Sequence, residues 1–479
     1  MTYRRAILGL ALWPLAAAAQ PPAAPPPAVQ AALDAVERLA PPFAKLSRQI
    51  WENPELGWQE QRSAALLRAQ LEKAGFRVRG FDSMPTAFAA EWGEGSPVIG
   101  ILGEYDALPG LSQEDVPERR PRVAGAPGHG CGHNLFGAAS ALAAVAVKER
   151  MQALGLKGTI RFYGTPAEEG GGGKIFLIRA GAFRDADAVL GWHPGDFNAA
   201  DDNPYLANIS ARVRFHGTPA HAAGAPEAGR SALDGLEIMT HAVNLLREHV
   251  PQETRMHYIV TGGGAAANIV PEFAELSIIV RHPDLAELGR IWERVKLCAE
   301  AGALASGTKA EIEITSAYAN FVRNPVLRSL LDRSLRAAGG VRYTDEERAF
   351  IEKIRATLGA RALPPLERAA EVLPPKTALS SVSTDVGDVS WVAPVGHFTA
   401  ATMPPGVPLH TWQSTACAGT EIGRKGMMTA AKTLALASLE LFSSPDLVRR
   451  ARAAFEENLR GRAYRSLLPE DRRPGLTGH

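Results

Sequence analysis

Residues 98–110 read VIGILGEYDALPG, residues 135–150 read LFGAASALAAVAVKER, and residues 159–170 read TIRFYGTPAEEG. The first and third open on short apolar or β-branched runs, Val98–Leu102 and Thr159–Tyr163, and each run gives way to a polar, Gly-containing segment. The Ala-rich stretch between them reads as a long helix from Leu135 to Arg150. A further run, Ala188–Leu190, repeats the pattern ahead of Gly191-Trp-His-Pro. This βαβ alternation predicts an α/β fold with a mostly parallel sheet covered by helices. Ligands of such sheets bind in the crevice beyond the carboxyl ends of the strands, so chemistry is expected in the segment just after each strand.

On either side of these runs other patterns hold. Apolar residues at spacings of three and four predict helix from Ala31 to about Ala74. Between Asn208 and Thr315 the order changes: strands near Ile209–Phe215, His257–Val260, Ala274–Val280 and Glu311–Ile314, and helices near Ala232–Glu248 and Leu285–Leu304. Strand-helix-strand-strand-helix-strand is a ferredoxin-like split βαβ unit, here inserted into the first domain. The expected organisation is a catalytic domain over 31–206 and 319–445, the insertion over 207–318, and a solvated C-terminal helix and tail over 446–479. Residues 325–373 read as helical and charged, without a chemical signature.

The first twenty residues carry Arg4 and Arg5, an apolar run from Ala6 to Leu15, and small residues Ala16–Ala19, the layout of a cleaved secretory signal peptide. The apolar run is about half the roughly 20 residues needed to span a bilayer. Export to the periplasm is therefore expected, by the Sec or the twin-arginine route, with no membrane association after cleavage. A Pro-rich linker over 21–30 comes next. The formal charge of +1 gives no bulk electrostatic pull toward nucleic acid. Three cysteines, Cys131, Cys298 and Cys417, make a disulfide framework improbable; Cys298 and Cys417 are expected as buried thiols.

Four groups of metal-competent residues stand after the strands or ahead of the Ala-rich helix. Asp106 lies in Gly-Glu-Tyr-Asp-Ala-Leu-Pro after the first strand; His129, Cys131 and His133 precede the helix; Glu168 and Glu169 come after the Thr159 strand; His193 comes after the Ala188 strand. Each alone has an ordinary structural explanation, but borderline metals such as zinc take imidazole, thiolate and carboxylate together. Four glycines after Glu169 suit a crowded site where backbone must approach closely. Neighbouring side chains point differently, and a carboxylate committed to a metal is a poor proton acceptor. We therefore assign Glu169 to the metal and Glu168 as the general base, accepting a proton from water and passing it to the leaving amine.

These residues resemble the M20 family of metallopeptidases, and within it the aminoacylase-like amidohydrolases. The resemblance is carried by Gly103-Glu-Tyr-Asp-Ala-Leu-Pro-Gly, Gly128-His-Gly-Cys-Gly-His-Asn, Gly164-Thr-Pro-Ala-Glu-Glu-Gly-Gly, Gly217-Thr-Pro-Ala-His, Ala267-Asn-Ile-Val-Pro and Ser383-Thr-Asp-Val-Gly-Asp-Val-Ser-Trp. It implies a zinc-peptidase-like catalytic domain with one or two divalent ions, Zn2+ first and Mn2+ or Co2+ as alternatives, held by Cys131, His133, Glu169, His193 and His410. Asp106 would orient a ligand from behind. Many members carry a histidine two residues before that aspartate and bridge their metals with an aspartate; here the first position is Glu104, and Cys131 takes the bridging role. The resemblance further implies that the insertion is a lid and dimerisation domain. His221 would reach the partner subunit's active site in a homodimer, and Asn268 and Arg281 would hold the substrate carboxylate. The expected substrate is a small N-acyl amino acid, aminobenzoyl-glutamate-like; a dipeptidase or carboxypeptidase activity, and the need for a homologous second subunit, stay open.

Two rival readings use fewer of these residues. A cysteine hydrolase with Cys131 as nucleophile and His129 or His133 as base leaves Glu168, Glu169 and His193 without roles. A non-enzymatic periplasmic binding protein needs no base at all.

Overall fold

The structure is a computed structural model and describes residues 25–200, 205–375 and 382–475; the signal-peptide reading falls outside the described residues. The chain opens with α1 (Pro27–Glu52) and α2 (Gln61–Lys73). Helix α1 starts inside the stretch expected as a linker, because a proline is tolerated in the first helical turn, where its missing N–H costs nothing. The single helical stretch expected over 31–74 is two helices. Asn53 precedes Pro54, and a residue before proline is driven out of the α region; the chain then pairs Leu56 with Ala107 before turning into α2. Next come β1 (Arg77–Phe81), β2 (Met84–Glu94), β3 (Val98–Gly103), α3 (His133–Leu154), β4 (Gly158–Gly164), α4 (Gly173–Arg179), β5 (Ala188–Gly195) and the two-residue β6 (Ala199–Ala200).

The insertion is built from β7 (Ala207–His216), α5 (Ala232–Leu246), β8 (Arg255–Gly262), β9 (Phe273–His282), α6 (Leu285–Ser306) and β10 (Lys309–Tyr318). The chain returns through α7 (Pro325–Ala338), α8 (Asp345–Ala356), α9 (Val386–Val389), β11 (Val395–Ala401), α10 (Trp412–Ala418), α11 (Glu421–Ser443) and α12 (Pro445–Leu459).

Two sheets result. The first has the order β1-β2-β4-β3-β5-β11-β6. Its centre, β4-β3-β5-β11, is parallel, and antiparallel strands close both edges. The β1–β2 hairpin was not anticipated from the sequence. Every residue of β3, β4 and β11 is buried, as expected of strands covered on both faces. Helix α3 packs against α1 and α11, and Gly137 lets it approach the backbone at the end of β3: a Cβ there would lie 2.8 Å from the Glu104 carbonyl oxygen.

The second sheet has the order β10-β7-β9-β8 with every pair antiparallel, the ferredoxin-like arrangement read from the sequence. Helices α5 and α6 cover one face. No described helix is long and apolar enough to cross a membrane.

The C-terminal tail is mostly exposed or half-buried, yet it is anchored at several points. Leu468 is buried, Arg179 donates to the carbonyls of Leu468 and Pro469, and the Tyr464 hydroxyl donates to Asp388 at 2.7 Å. Arg462 pairs with Asp284 and Arg472 with Glu313, both at 2.9 Å, so the tail ties the second sheet to the first. All three cysteines are free; Cys417 is buried, while Cys298 is only half-buried.

Candidate metal centre and active site

The functional segments converge at the carboxyl ends of β3, β4 and β5; β5 runs on to Gly195, so His193 lies within its ladder rather than after the strand. Cys131 and His133 flank Gly132 at the entry of α3, where Gly132 takes the left-handed conformation with φ 76°. Glu168 and Glu169 sit on the loop between β4 and α4. That loop is strained: Ala167 has φ 55°, and a Cβ on Gly173 would lie 1.9 Å from the Pro166 carbonyl oxygen. His410, on the loop before α10, also has positive φ, 60°. Such non-glycine outliers cost about 1–3 kcal/mol each and persist where the surroundings enforce them.

Cys131, His133 and His193 offer one donor atom each within 4.8 Å of one another, and so do Cys131, Glu169 and His410. The two triads share Cys131. Cys131 Sγ lies 3.4 Å from His193 Nε2, and His410 Nε2 lies 3.3 Å from Glu169 Oε1. Partners behind the rings orient them, as is usual for metal-binding imidazoles. His133 Nδ1 meets Asp106 Oδ1 at 2.8 Å, and His193 Nδ1 meets the Pro194 carbonyl at 2.7 Å. Both leave Nε2 for the site. The second oxygen of Asp106 accepts the Glu169 backbone N–H at 2.8 Å, so one buried carboxylate braces two of the segments.

The two adjacent glutamates are driven apart. Burial, reinforced by Glu104, Glu169 and Asp385, pushes the Glu168 carboxyl well above its ordinary range. For Glu169 burial acts in the same direction, but the hydrogen bond from His410 and the charges of His133 and His410 more than offset it and hold the group low. Paired carboxyls with divergent environments are the usual mark of divided roles. Burial, then the His133 charge, lowers His193 to about 4, keeping it in the neutral form that can ligate a cation. Burial and Glu169 push the Cys131 thiol well up. His129 is fully buried and does not line the cleft.

A cleft of about 620 Å³ opens over these groups, lined by Cys131, Glu168, Glu169, His193 and His410, with Phe197, Tyr205, His397 and Leu409 among its walls. Arg281, at the end of β9, donates to Ser383 Oγ at 3.3 Å, and Ser383 also lines the cleft. His221 and Asn268 are not brought in. They are exposed neighbours on the inserted domain, where the Ala222 N–H donates to the Asn268 carbonyl.

Sequence reasoning missed a layer beneath the site. Lys174 is fully buried, with Nζ 2.7 Å from Glu104 Oε1 and 2.6 Å from Asp385 Oδ1. The other Glu104 oxygen lies 3.2 Å from His133 Nε2, and Glu104, His133 and Glu168 form a third group of donors within 4.8 Å. The available signal was a lone lysine closing a run of four glycines.

Residues 207–306 match the peptidase dimerisation domain of M20 proteins. The chain is 39% identical over 468 residues to a subunit of the p-aminobenzoyl-glutamate hydrolase of Escherichia coli (strain K12), covering 92% of this chain and 97% of that one. It is 31% identical over 441 residues to the Xaa-Arg dipeptidase of Mus musculus, covering 89% and 91%. Among solved structures, an aminobenzoyl-glutamate utilization protein from Klebsiella pneumoniae superposes with a TM-score of 0.59 at 18% identity, over 85% of this chain and 97% of that one. A dinuclear metal-binding M20 peptidase from Bacillus subtilis gives 0.57 at 19% identity, over 85% and 99%. At such identities the solved structures speak for the fold, while the sequence relatives cover nearly the whole chain at family-level identity. The chain belongs to the M20 family of peptidases and amidohydrolases.

Proposed function

We propose that this protein is an exported, metal-dependent amidohydrolase that cleaves the amide bond of a small N-acyl amino acid, with Glu168 as the general base. The observation that carries the reading is the pair of donor triads joined at Cys131, with Glu168 beside them and in neither. The residues fit a cation: His133 and His193 each have Nδ1 engaged behind the ring, which turns Nε2 toward the shared Cys131, and a set of imidazole, thiolate and carboxylate donors suits zinc, with manganese or cobalt as alternatives. Cys131, His133 and His193 would hold one ion and Cys131, Glu169 and His410 a second. Bound there, divalent ions supply Lewis acidity that brings the pKa of water toward neutrality and polarises an amide carbonyl. Glu168 accepts the proton from water and returns it to the departing amine. Asp106 keeps His133 in the tautomer that presents Nε2 to the site.

Arg281, at the cleft rim, anchors the substrate carboxylate, for which a guanidinium offers two parallel donors. His221 acts across a homodimer, and Asn268, beside it on the inserted domain, is a further group for the substrate carboxylate. The edge strand β8 exposes Ile259 and Val260, and the outer face of α5 exposes Ile238 and Leu245, an apolar surface that a second copy of the inserted domain would cover. The name of the Escherichia coli relative makes p-aminobenzoyl-glutamate the first substrate to try.

The test is Glu168→Gln on the metal-loaded enzyme. We expect metal content close to wild type and turnover lower by about 10²–10⁴, the usual cost of a lost general base. Loss of metal equal to that of Glu169→Ala would reverse the two roles.

A further inference from the structure

We propose that Lys174 is a positioning residue for the hydrolysis: its ammonium, clamped between Glu104 and Asp385, holds the Glu104 carboxylate under His133 and Glu168 and so fixes where the Glu168 carboxylate points. The inference rests on the reading of Glu168 as the base.

A fully buried lysine is costly unless paired, and even when paired a well-packed apolar replacement is often no less stable. Its presence here therefore needs a reason other than stability. Helix propensity supplies none, because Lys174 lies in the first turn of α4, where the helix dipole disfavours a cation. What the position does supply is proximity to the site. Gly172 turns the chain in the left-handed conformation at φ 67° and Gly173 presses against Pro166, which returns Lys174 beneath the loop that carries Glu168 and Glu169.

The geometry there is specific. The Lys174 backbone N–H donates to Asp385 Oδ2 at 2.9 Å while Nζ reaches the other oxygen of the same carboxylate at 2.6 Å, so Asp385 holds both ends of the lysine. Nζ then fixes Glu104 at 2.7 Å, and Glu104 stands 3.2 Å from His133 Nε2. Glu104 and Asp385 share one buried ammonium, and the buried Glu168 carboxyl feels the same charge. Without that charge, Glu104 loses the cation that holds it beside His133 and Glu168, and the base loses a fixed wall on its inner side. Misplacement of a reacting group by about 1 Å costs on the order of 10²-fold in rate.

The experiment uses the full-length, metal-loaded enzyme and the variants Lys174→Met, Glu104→Gln and their double, with Glu168→Gln in parallel. For Lys174→Met we expect kcat to fall on the order of 10²-fold, with KM and metal content by elemental analysis unchanged. Adding Glu104→Gln should cost little more, because both changes remove one arrangement. A wild-type kcat with only a lowered Tm would make Lys174 structural and overturn the proposal, as would metal loss in step with activity or losses that multiply in the double variant. Should Lys174→Met fail to fold, the charge-balanced Lys174→Met/Asp385→Asn variant reads the same quantity: a low kcat supports positioning and a wild-type kcat overturns it. An inactive Glu168→Gln beside an active Lys174→Met removes this proposal alone, whereas an active Glu168→Gln removes the base reading and this proposal with it.

Discussion

The two sheets of this protein place charge in opposite ways. In the first, one cation, Lys174, meets Glu104 and Asp385 with none of the three exposed beyond a percent or so. In the second, one cation, Arg214, meets Glu275, Glu311 and Glu313, with side-chain exposures from 19% to 55%. The composition is similar and the consequence is not. A partly exposed ion pair is worth about 0–1 kcal/mol, whereas breaking a buried one by removing a partner costs about 3–5 kcal/mol. The strands divide in the same way. β3, β4 and β11 are buried throughout, while β9 alternates buried with partly exposed residues and β8 is largely exposed. The fixed, dry charges sit on the first sheet, and the second, which matches a dimerisation domain, keeps its charges and its edge strand open to solvent.

The largest effect expected from this contrast is complementation between subunits. If the second sheet serves assembly, an inactive His221→Ala chain mixed with an inactive Glu168→Gln chain should regain roughly a quarter of wild-type activity, since half the dimers are mixed and each has one intact site. Differently tagged chains verify the exchange, and verified mixed dimers without activity would take His221 out of the catalytic set. Next in size are paired substitutions, one per sheet. Phe162→Ala, fully buried on β4 against Phe88 at 5.5 Å, should cost about 3–5 kcal/mol in denaturant unfolding. Ile259→Ser, on a side chain 66% exposed, should leave the fold within about 0.5 kcal/mol and shift sedimentation toward monomer. Equal destabilisation by the two would erase the distinction between the sheets.

The smallest effect lies at the seam. Asp388 accepts the Ala319 N–H, where the chain leaves the second sheet, and the Tyr464 hydroxyl of the tail. Burial raises its carboxyl from 3.8 to about 7, the two donors only partly opposing. The folded protein therefore keeps this proton to about pH 7 while the unfolded chain releases it near 3.8, and the folded state binds more protons in between. Stability from this group is full below that window and falls as pH rises through it. Thermal scans from pH 4 to pH 8 should show Asp388→Asn gaining on wild type as pH rises; a constant difference would refute the shift.

Helices, strands, the loops bearing Cys131 and Glu168 and the strand end bearing His193 were legible because burial imposes period and composition on local sequence. The β1–β2 hairpin was not: β1 has no buried residue, so it lacks the apolar signal that marks a covered strand. The anchors of the tail were not legible either, since the partners of Arg462 and Arg472, Asp284 and Glu313, lie far away in the chain. Metal-competent residue types could be picked out from the sequence, but their division into two triads could not.

Spacing along the chain was enough to specify the α/β class, the split βαβ insertion and the residue types able to take a metal, since each is written in local pattern. Packing in three dimensions was needed to make Asp106 brace His133 and the Glu169 backbone together, to bring Arg281 to Ser383 while His221 and Asn268 stand apart, and to lay Lys174 against Glu104 and Asp385. Asp385 is 211 residues from the lysine it clamps. Such a pair leaves no local period to read, because the free energy that joins it comes from burial and charge at close range, which exist only once the sheet has closed.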